Sequence, residues 1–153
     1  MTRRLIGALA IITTLLLSGC GNDYGVDQYG QKVAAERLDK QWLVVNYWAE
    51  WCGPCRTEIP ELNALAEQLK GQNVGVFGVN FDNVQGEELK AASDKLGIKF
   101  TVLAQNPDGI FEIPRSEALP VTYIIDDKGK VREQLMGEQT AEGVLAKLKA
   151  LKG

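Results

Sequence analysis

The chain predicts an α/β fold, a mainly parallel sheet covered on both sides and finished by an antiparallel hairpin. Three observations point there. The runs Leu43–Trp48, Val74–Val79 and Val121–Ile125 are short and almost continuously apolar, as strands buried on both faces are. Segments with apolar residues at helical spacing alternate with them. Asp126-Asp127-Lys128-Gly129 joins the third run to Val131–Met136, the strongest hairpin signal in the sequence. With 153 residues, 45% hydrophobic and 24% charged, the chain can build one domain with a real core but not two comfortable ones.

Taken in order, the first residues read as an address. Arg3 and Arg4 precede an uncharged, mostly apolar run from Leu5 to Leu17, closed by Leu17-Ser18-Gly19-Cys20. A positive start, a short apolar centre and small residues before a cut describe a secretory signal over residues 1–19. The run falls short of the ~20 apolar residues of a spanning helix, which makes a transmembrane anchor the weaker alternative. Its removal takes away two arginines and no acid, moving the net charge from −3 to −5. Residues 20–32 are polar and glycine-rich and read as a tether, with a first short strand around Val26–Val33. The folded domain is expected over 33–153.

Leu43–Trp48 is the first central strand. Beyond Cys55, the residues Ile59, Leu62, Leu65, Ala66 and Leu69 recur at helical spacing, with Gly71 as terminator and Pro60 placed to kink the helix. Val74–Val79 is the second strand, its Val76, Phe77 and Val79 read as core rather than interface. A helix over Glu87–Leu96, ended by Gly97, leads to a strand near Phe100–Leu103. After the hairpin, Thr140 can cap a last helix with Val144, Leu145, Leu148 and Leu151 on one face.

Composition excludes much chemistry. The chain has no histidine, which removes Ser-His-Asp and Cys-His catalysis and His-ligated metals or haem. Its three cysteines, Cys20, Cys52 and Cys55, are too few for a four-cysteine zinc site or an all-cysteine iron–sulfur cluster in one chain. No metal or other cofactor is expected. Basic residues are scattered among acids without a run or stripe, so nucleic acid is not an expected partner. Thiols, carboxylates and backbone groups remain.

Trp51-Cys52-Gly53-Pro54-Cys55 follows a buried strand and opens a helix. A helix N-terminus has unpaired N–H groups and about half a positive charge, which stabilises a thiolate. Two intervening residues let the sulfurs bond within one turn, Gly53 permits the approach, and Pro54 sits where no helical N–H is needed. The first thiol of such a pair has its pKa lowered from ~8.5 towards ~7. Cys52 is therefore the expected nucleophile, and Cys55 the thiol that resolves the mixed disulfide. A structural disulfide or half of an intermolecular metal site are the competing readings.

Asn46-Tyr47-Trp48-Ala49-Glu50-Trp51-Cys52-Gly53-Pro54-Cys55 resembles the active-site segment of thioredoxins, and Pro60 matches their kinking proline. The resemblance runs from about Val33 to Leu151 and implies a thioredoxin fold, a central mixed sheet flanked by helices. Leu119-Pro120-Val121-Thr122 matches the family's cis-proline loop, which implies a cis Pro120 against the dithiol. Leu119 would then present its backbone to a client strand, with Trp51, Gly53 and Pro54 also in contact. Leu17-Ser18-Gly19-Cys20 is similar to the bacterial lipobox, which implies acylation of Cys20 and an anchor firmer than one chain provides. Gly21 in place of aspartate resembles the outer-membrane sorting pattern of Gram-negative lipoproteins.

The sequence departs from cytosolic thioredoxins in two ways. Their buried aspartate aligns with Asn46, which cannot take a proton, and a nearby lysine aligns with Gly78. An extra helix–strand unit, roughly Val84 to Pro107, precedes the Pro120 loop and resembles the membrane-tethered reductases of the TlpA and ResA type. That group has a glutamate three residues after the second cysteine, and Glu58 matches it. Two readings of Glu58 stand equal: an acid–base residue raised in pKa by apolar surroundings, or a solvated first-turn glutamate that favours the helix dipole. Glu50 is expected at the surface, adjusting the local field.

The expected function is extracytoplasmic thiol–disulfide exchange with protein clients, as a reductase supplied with electrons by a membrane thiol carrier of the DsbD or CcdA type. The expected place is the extracytoplasmic side of the envelope, in the periplasm, at the outer membrane if the host is Gram-negative. The alternatives are an oxidase or isomerase on the same scaffold, or a peptide-binding envelope lipoprotein with an incidental dithiol. A thiol peroxidase is weaker, since the Pro-x-x-x-Thr-x-x-Cys context is missing, and copper delivery lacks its histidine.

Overall fold

The computed structural model describes residues 21–153, so the expected leader and the expected acylation site Cys20 lie outside the described residues. A five-stranded sheet in the order β3-β2-β1-β4-β5 forms the centre. Its strands are β1 (Trp42–Trp48), β2 (Val74–Asn80), β3 (Thr101–Leu103), β4 (Val121–Ile125) and β5 (Val131–Met136). The first three are parallel; β4 runs antiparallel to β1, and β5 to β4. Every residue of β1 is buried, as its unbroken apolar run implies. Between the strands lie α1 (Gly53–Gln68), α2 (Gly86–Leu96), the single turn α3 (Asp108–Phe111) and, at the end, α4 (Ala141–Lys152).

Because β1, β2 and β3 step in one direction across the sheet, their crossover helices α1 and α2 fall on the same face. There Val44, Trp48 and Ile124 meet Ile59, Leu62 and Leu65 of α1, Leu89 and Leu96 of α2, and Val144 and Leu148 of α4. Helix α1 continues through Pro60, whose missing N–H leaves the Arg56 carbonyl without its helical donor. The ends of α2 and α4 follow the expected local rules. Gly97 closes α2 in the left-handed region at φ 70°. Thr140 caps α4 by accepting from Gly143 N–H at 3.1 Å, and Glu61 of α1 adds a bond from Ala141 N–H at 2.9 Å.

The other face is closed without a long helix. Leu43, Val45, Tyr47, Phe77 and Tyr123 pack under Tyr24, Val33, Leu38, Phe111 and Ile113. The expected tether is therefore attached to the domain from Asn22 onward: Asn22 Nδ2 donates to Asp39 Oδ1 at 2.9 Å, and buried Tyr24 stacks on Phe111 at 5.8 Å. The short strand expected around Val26–Val33 is reduced to two isolated bridges, Val26 with Lys32 and Asp27 with Leu103. Gln28 explains the arrangement: its side chain accepts from Val102 N–H at 2.8 Å and donates to the Phe100 carbonyl at 3.1 Å. With the backbone bonds from Gln28 N–H to the Val102 carbonyl at 3.0 Å and from Ala104 N–H to the Val26 carbonyl at 2.9 Å, this side chain covers the exposed edge of β3.

Gly78 sits at the middle of β2, opposite Asn46 on one side and Val102 on the other. A Cβ there would lie 3.0 Å from both Phe100 Cε2 and Trp48 Nε1, and 3.2 Å from Val102 Cγ2. The space beside Asn46 is thus filled by neighbouring rings, and no lysine-sized side chain fits. Gly78→Ala is expected to destabilise the fold by about 1–3 kcal/mol through overpacking. Urea unfolding should show a lower midpoint with an unchanged slope.

Candidate active site

Strand β1 ends at Trp48, and the chain turns through Ala49–Trp51 into α1. Cys52 is the N-cap of that helix, with extended backbone, and its Sγ accepts from Cys55 N–H at 3.2 Å. Cys52 and Cys55 form a disulfide with their Cα atoms 5.3 Å apart. In the reduced pair the same N–H and the helix dipole favour negative charge on Cys52 over Cys55. Both residues are buried, Cys52 at 4% exposure and Cys55 at 0%. Beyond Gly53 the space is open, since nothing lies within 4 Å of a Cβ built there.

Around the sulfurs the surface is partly apolar. Trp51 is 66% exposed, its ring held by Nε1 donating to Asp82 Oδ2 at 2.8 Å. The turn that presents Asp82 is set by buried Asn80, whose Oδ1 accepts from the N–H of Asp82 at 3.0 Å and of Val84 at 3.4 Å. The Leu119–Pro120 peptide is cis; Pro120 is buried and Leu119 half-buried against both core clusters. Glu50 pairs with Lys95 of α2, and its carbonyl accepts from Arg56 at 3.0 Å, so it ties the loop to both helices.

Glu58 is the residue on which the two sequence readings differ, and it is not solvated. It is 1% exposed, one turn beyond Cys55 on the inward side of α1. Asn46 Nδ2 donates to its Oε1 at 2.7 Å and Gln139 N–H to its Oε2 at 3.0 Å. Burial pushes its pKa up to about 7; these two donors oppose the rise and the negative charge of Glu138 adds to it. Asn46 also donates to Thr122 Oγ1 at 3.0 Å, so β1, β4, α1 and the loop before α4 meet at one buried polar cluster.

Sequence reading placed Glu58 near the sulfurs but missed its partners. Asn46 is the sole polar residue of Leu43–Trp48, and a polar residue on a fully buried strand is itself a signal. Thr122 lies beside Pro120 in an ordinary strand pattern, and Gln139 contributes a backbone N–H, so neither shows in the sequence.

A dithiol at a helix N-terminus, on a five-stranded sheet with a cis-proline loop, defines a thioredoxin-fold thiol–disulfide oxidoreductase. The chain belongs to the AhpC/TSA family, whose profile matches residues 16–134. It is 31% identical over 125 residues to the thiol-disulfide oxidoreductase ResA of Bacillus anthracis, covering 82% of this chain and 72% of that one. With the thioredoxin-like protein YneN of Bacillus subtilis it shares 29% over 121 residues, 78% of this chain and 70% of the other. The crystal structure of a thioredoxin-family thiol:disulfide interchange protein from Chlorobium tepidum superposes with a TM-score of 0.69 at 25% identity, covering 84% of this chain and 92% of that one.

The raised pKa of Glu58 makes stability depend on pH. Between its unfolded value of about 4.3 and its folded value of about 7, the folded state binds more protons than the unfolded one. Its contribution is complete below the lower value and is lost as pH rises through the upper one. Glu58→Gln should remove this decline and gain on the order of 3 kcal/mol over the native chain at pH 8, but little at pH 4. Urea unfolding of both proteins across that range measures the difference.

Proposed function

We propose that the protein is an extracytoplasmic disulfide reductase, anchored through acylated Cys20 at the outer face of a membrane, with protein disulfides as its clients. The observation that carries the mechanism is a buried glutamate one turn beyond the second cysteine, held by two donors and titrating near neutrality. The address-like residues 1–19, outside the described part of the chain, support the location.

In the reducing direction, Cys52 thiolate attacks one sulfur of a client disulfide. A Cys52–client disulfide forms, and the other client sulfur leaves as a thiolate that takes a proton from water. Cys55 then gives its S–H proton to the Glu58 carboxylate and attacks Cys52 Sγ. The Cys52–Cys55 disulfide closes, the second client sulfur leaves, and two electrons have passed to the client. Leu119, beside Pro120, presents its backbone to the client strand, and the exposed Trp51 ring with Gly53 and Pro54 forms the rest of the contact. A membrane thiol carrier of the DsbD or CcdA type restores the dithiol. As it does, Cys55 leaves as a thiolate and recovers the proton from Glu58.

The Cys-Gly-Pro-Cys interior favours reduction, because thioredoxins poise near −270 mV whereas strong oxidants lie near −120 mV. Equilibration of the domain from Gly21 onward with glutathione or dithiothreitol buffers is expected to give a potential at or below about −250 mV. A value above about −150 mV would make it an oxidase instead. Cys55→Ser should accumulate the Cys52–client disulfide, while Cys52→Ser abolishes exchange. Full function of a Cys52→Ser, Cys55→Ser double variant in a deletion strain would turn the assignment towards a peptide-binding lipoprotein. Glu58→Gln should slow the resolving step by about 10²-fold at neutral pH, read by stopped-flow release of the client thiol.

A further inference from the structure

Asn46 carries more than a hydrogen bond to Glu58. Its side chain is fully buried, and both Nδ2 bonds point the same way, to Glu58 Oε1 at 2.7 Å and Thr122 Oγ1 at 3.0 Å. Its Oδ1 is buried with no partner. Leaving a buried acceptor unpaired is costly, so an arrangement that tolerates it calls for a reason.

The reason lies in what Glu58 needs in each of its two forms. As a carboxylate it needs donors at both oxygens, and it has them. As an acid it must place a new O–H on one of them. Gln139 N–H occupies Oε2 and belongs to the backbone, so it cannot turn away. Asn46 is a side-chain amide whose two ends have nearly the same shape, and half a turn about χ2 exchanges donor for acceptor. After that turn, Oδ1 accepts from the acid at Oε1 and from the Thr122 hydroxyl, while Nδ2 takes the partnerless place that Oδ1 held, so one end of the amide is unpaired in both orientations.

We propose that the Asn46 amide turns over as Glu58 gains and loses the Cys55 proton, donating to the carboxylate and accepting from the acid, which makes it a positioning residue for disulfide exchange. The proposal rests on Glu58 being the proton acceptor of the resolving step. An aspartate at this position would bring a second buried carboxyl beside Glu58. Asparagine supplies both hydrogen-bonding senses without adding a charge. Along its own helix Cys55 lies three residues before Glu58 and Glu61 three after it; Thr122 of β4 meets it through Asn46, and Gln139 with exposed Glu138 lies before α4. Glu61 is engaged by Ala141 N–H, and Glu138 is the remaining nearby charge.

The test is a titration of the full chain in detergent micelles, in its disulfide form so that neither Cys52 nor Cys55 titrates. Glutamate carboxyls are 13C-labelled and asparagine amides 15N-labelled, and the Asn46 signal is assigned by its absence from Asn46→Leu. The Asn46 amide signal is expected to shift with the same midpoint as the Glu58 carboxyl. The Nδ2 proton contacts to the Thr122 methyl should fade on the acid side. Contacts that persist through a clear Glu58 titration overturn the proposal while leaving Glu58 as the base. A Glu58 carboxyl that does not titrate between pH 5 and 9 removes the acid–base reading, and this proposal with it.

Kinetics give a second reading. Asn46→Leu should slow the resolving step about tenfold or more at pH 7 in the native background and add no loss in a Glu58→Gln background. An equal loss in both would make Asn46 a packing residue only.

Discussion

Strand β1 is paired on both edges and covered on both faces, so its residues have almost no contact with solvent. Groups that must reach a client can appear only where the strand ends. The chain leaves β1 at Trp48 and four residues later caps α1 with Cys52, so the disulfide stands at the helix N-terminus that a buried parallel strand delivers. The positive end of α1 and its unpaired N–H groups then face the sulfurs without any charged side chain being placed there. The junction is held on both sides: β1 cannot slip in register without repacking two cores and taking Asn46 away from Glu58 and Thr122, and α1 is locked by the core it shares with α4.

The same burial makes the polar cluster consequential. A carboxyl group inside a dry core is disfavoured as an ion, while two donors favour it, and the balance leaves Glu58 near neutrality rather than at either extreme. A residue so poised can hold a proton between the two halves of a disulfide exchange. Asn46, Thr122 and Gln139 come from three separate segments, so the cluster also joins the centre of the sheet to α1 and the start of α4. The raised pKa of Glu58 and the closure of the tertiary structure thus share one set of hydrogen bonds.

The second face of the sheet shows how a short helix and an extended segment can replace a helical layer. Phe111 from the one-turn α3 and Tyr24 from the N-terminal segment stack over a surface built from Tyr47, Phe77 and Tyr123. Gln28 meanwhile satisfies the edge of β3 with its side chain. If acylated Cys20 anchors the chain, the free tether ends by Asn22, two residues later, and the domain is held close to the lipid surface.

Much of this was legible in the sequence because it depends on local rules. The apolar runs of β1, β2 and β4, the Gly97 and Thr140 helix signals, the Asp-Asp-Lys-Gly turn and the cysteine pair each act within a few residues. The cis Leu119–Pro120 bond was anticipated only through the family resemblance, since no local pattern requires it. What only the tertiary structure decided is the condition of Glu58. A glutamate in the first turns of a helix reads the same whether it faces water or the core. Its burial comes from α1 packing on β1 and β4, and its partners lie 12, 64 and 81 residues away or act through one another. Long-range packing sets the dielectric and the donors around a carboxyl, and these set where it titrates. Sequence spacing could name the residue; only the fold could assign it a charge.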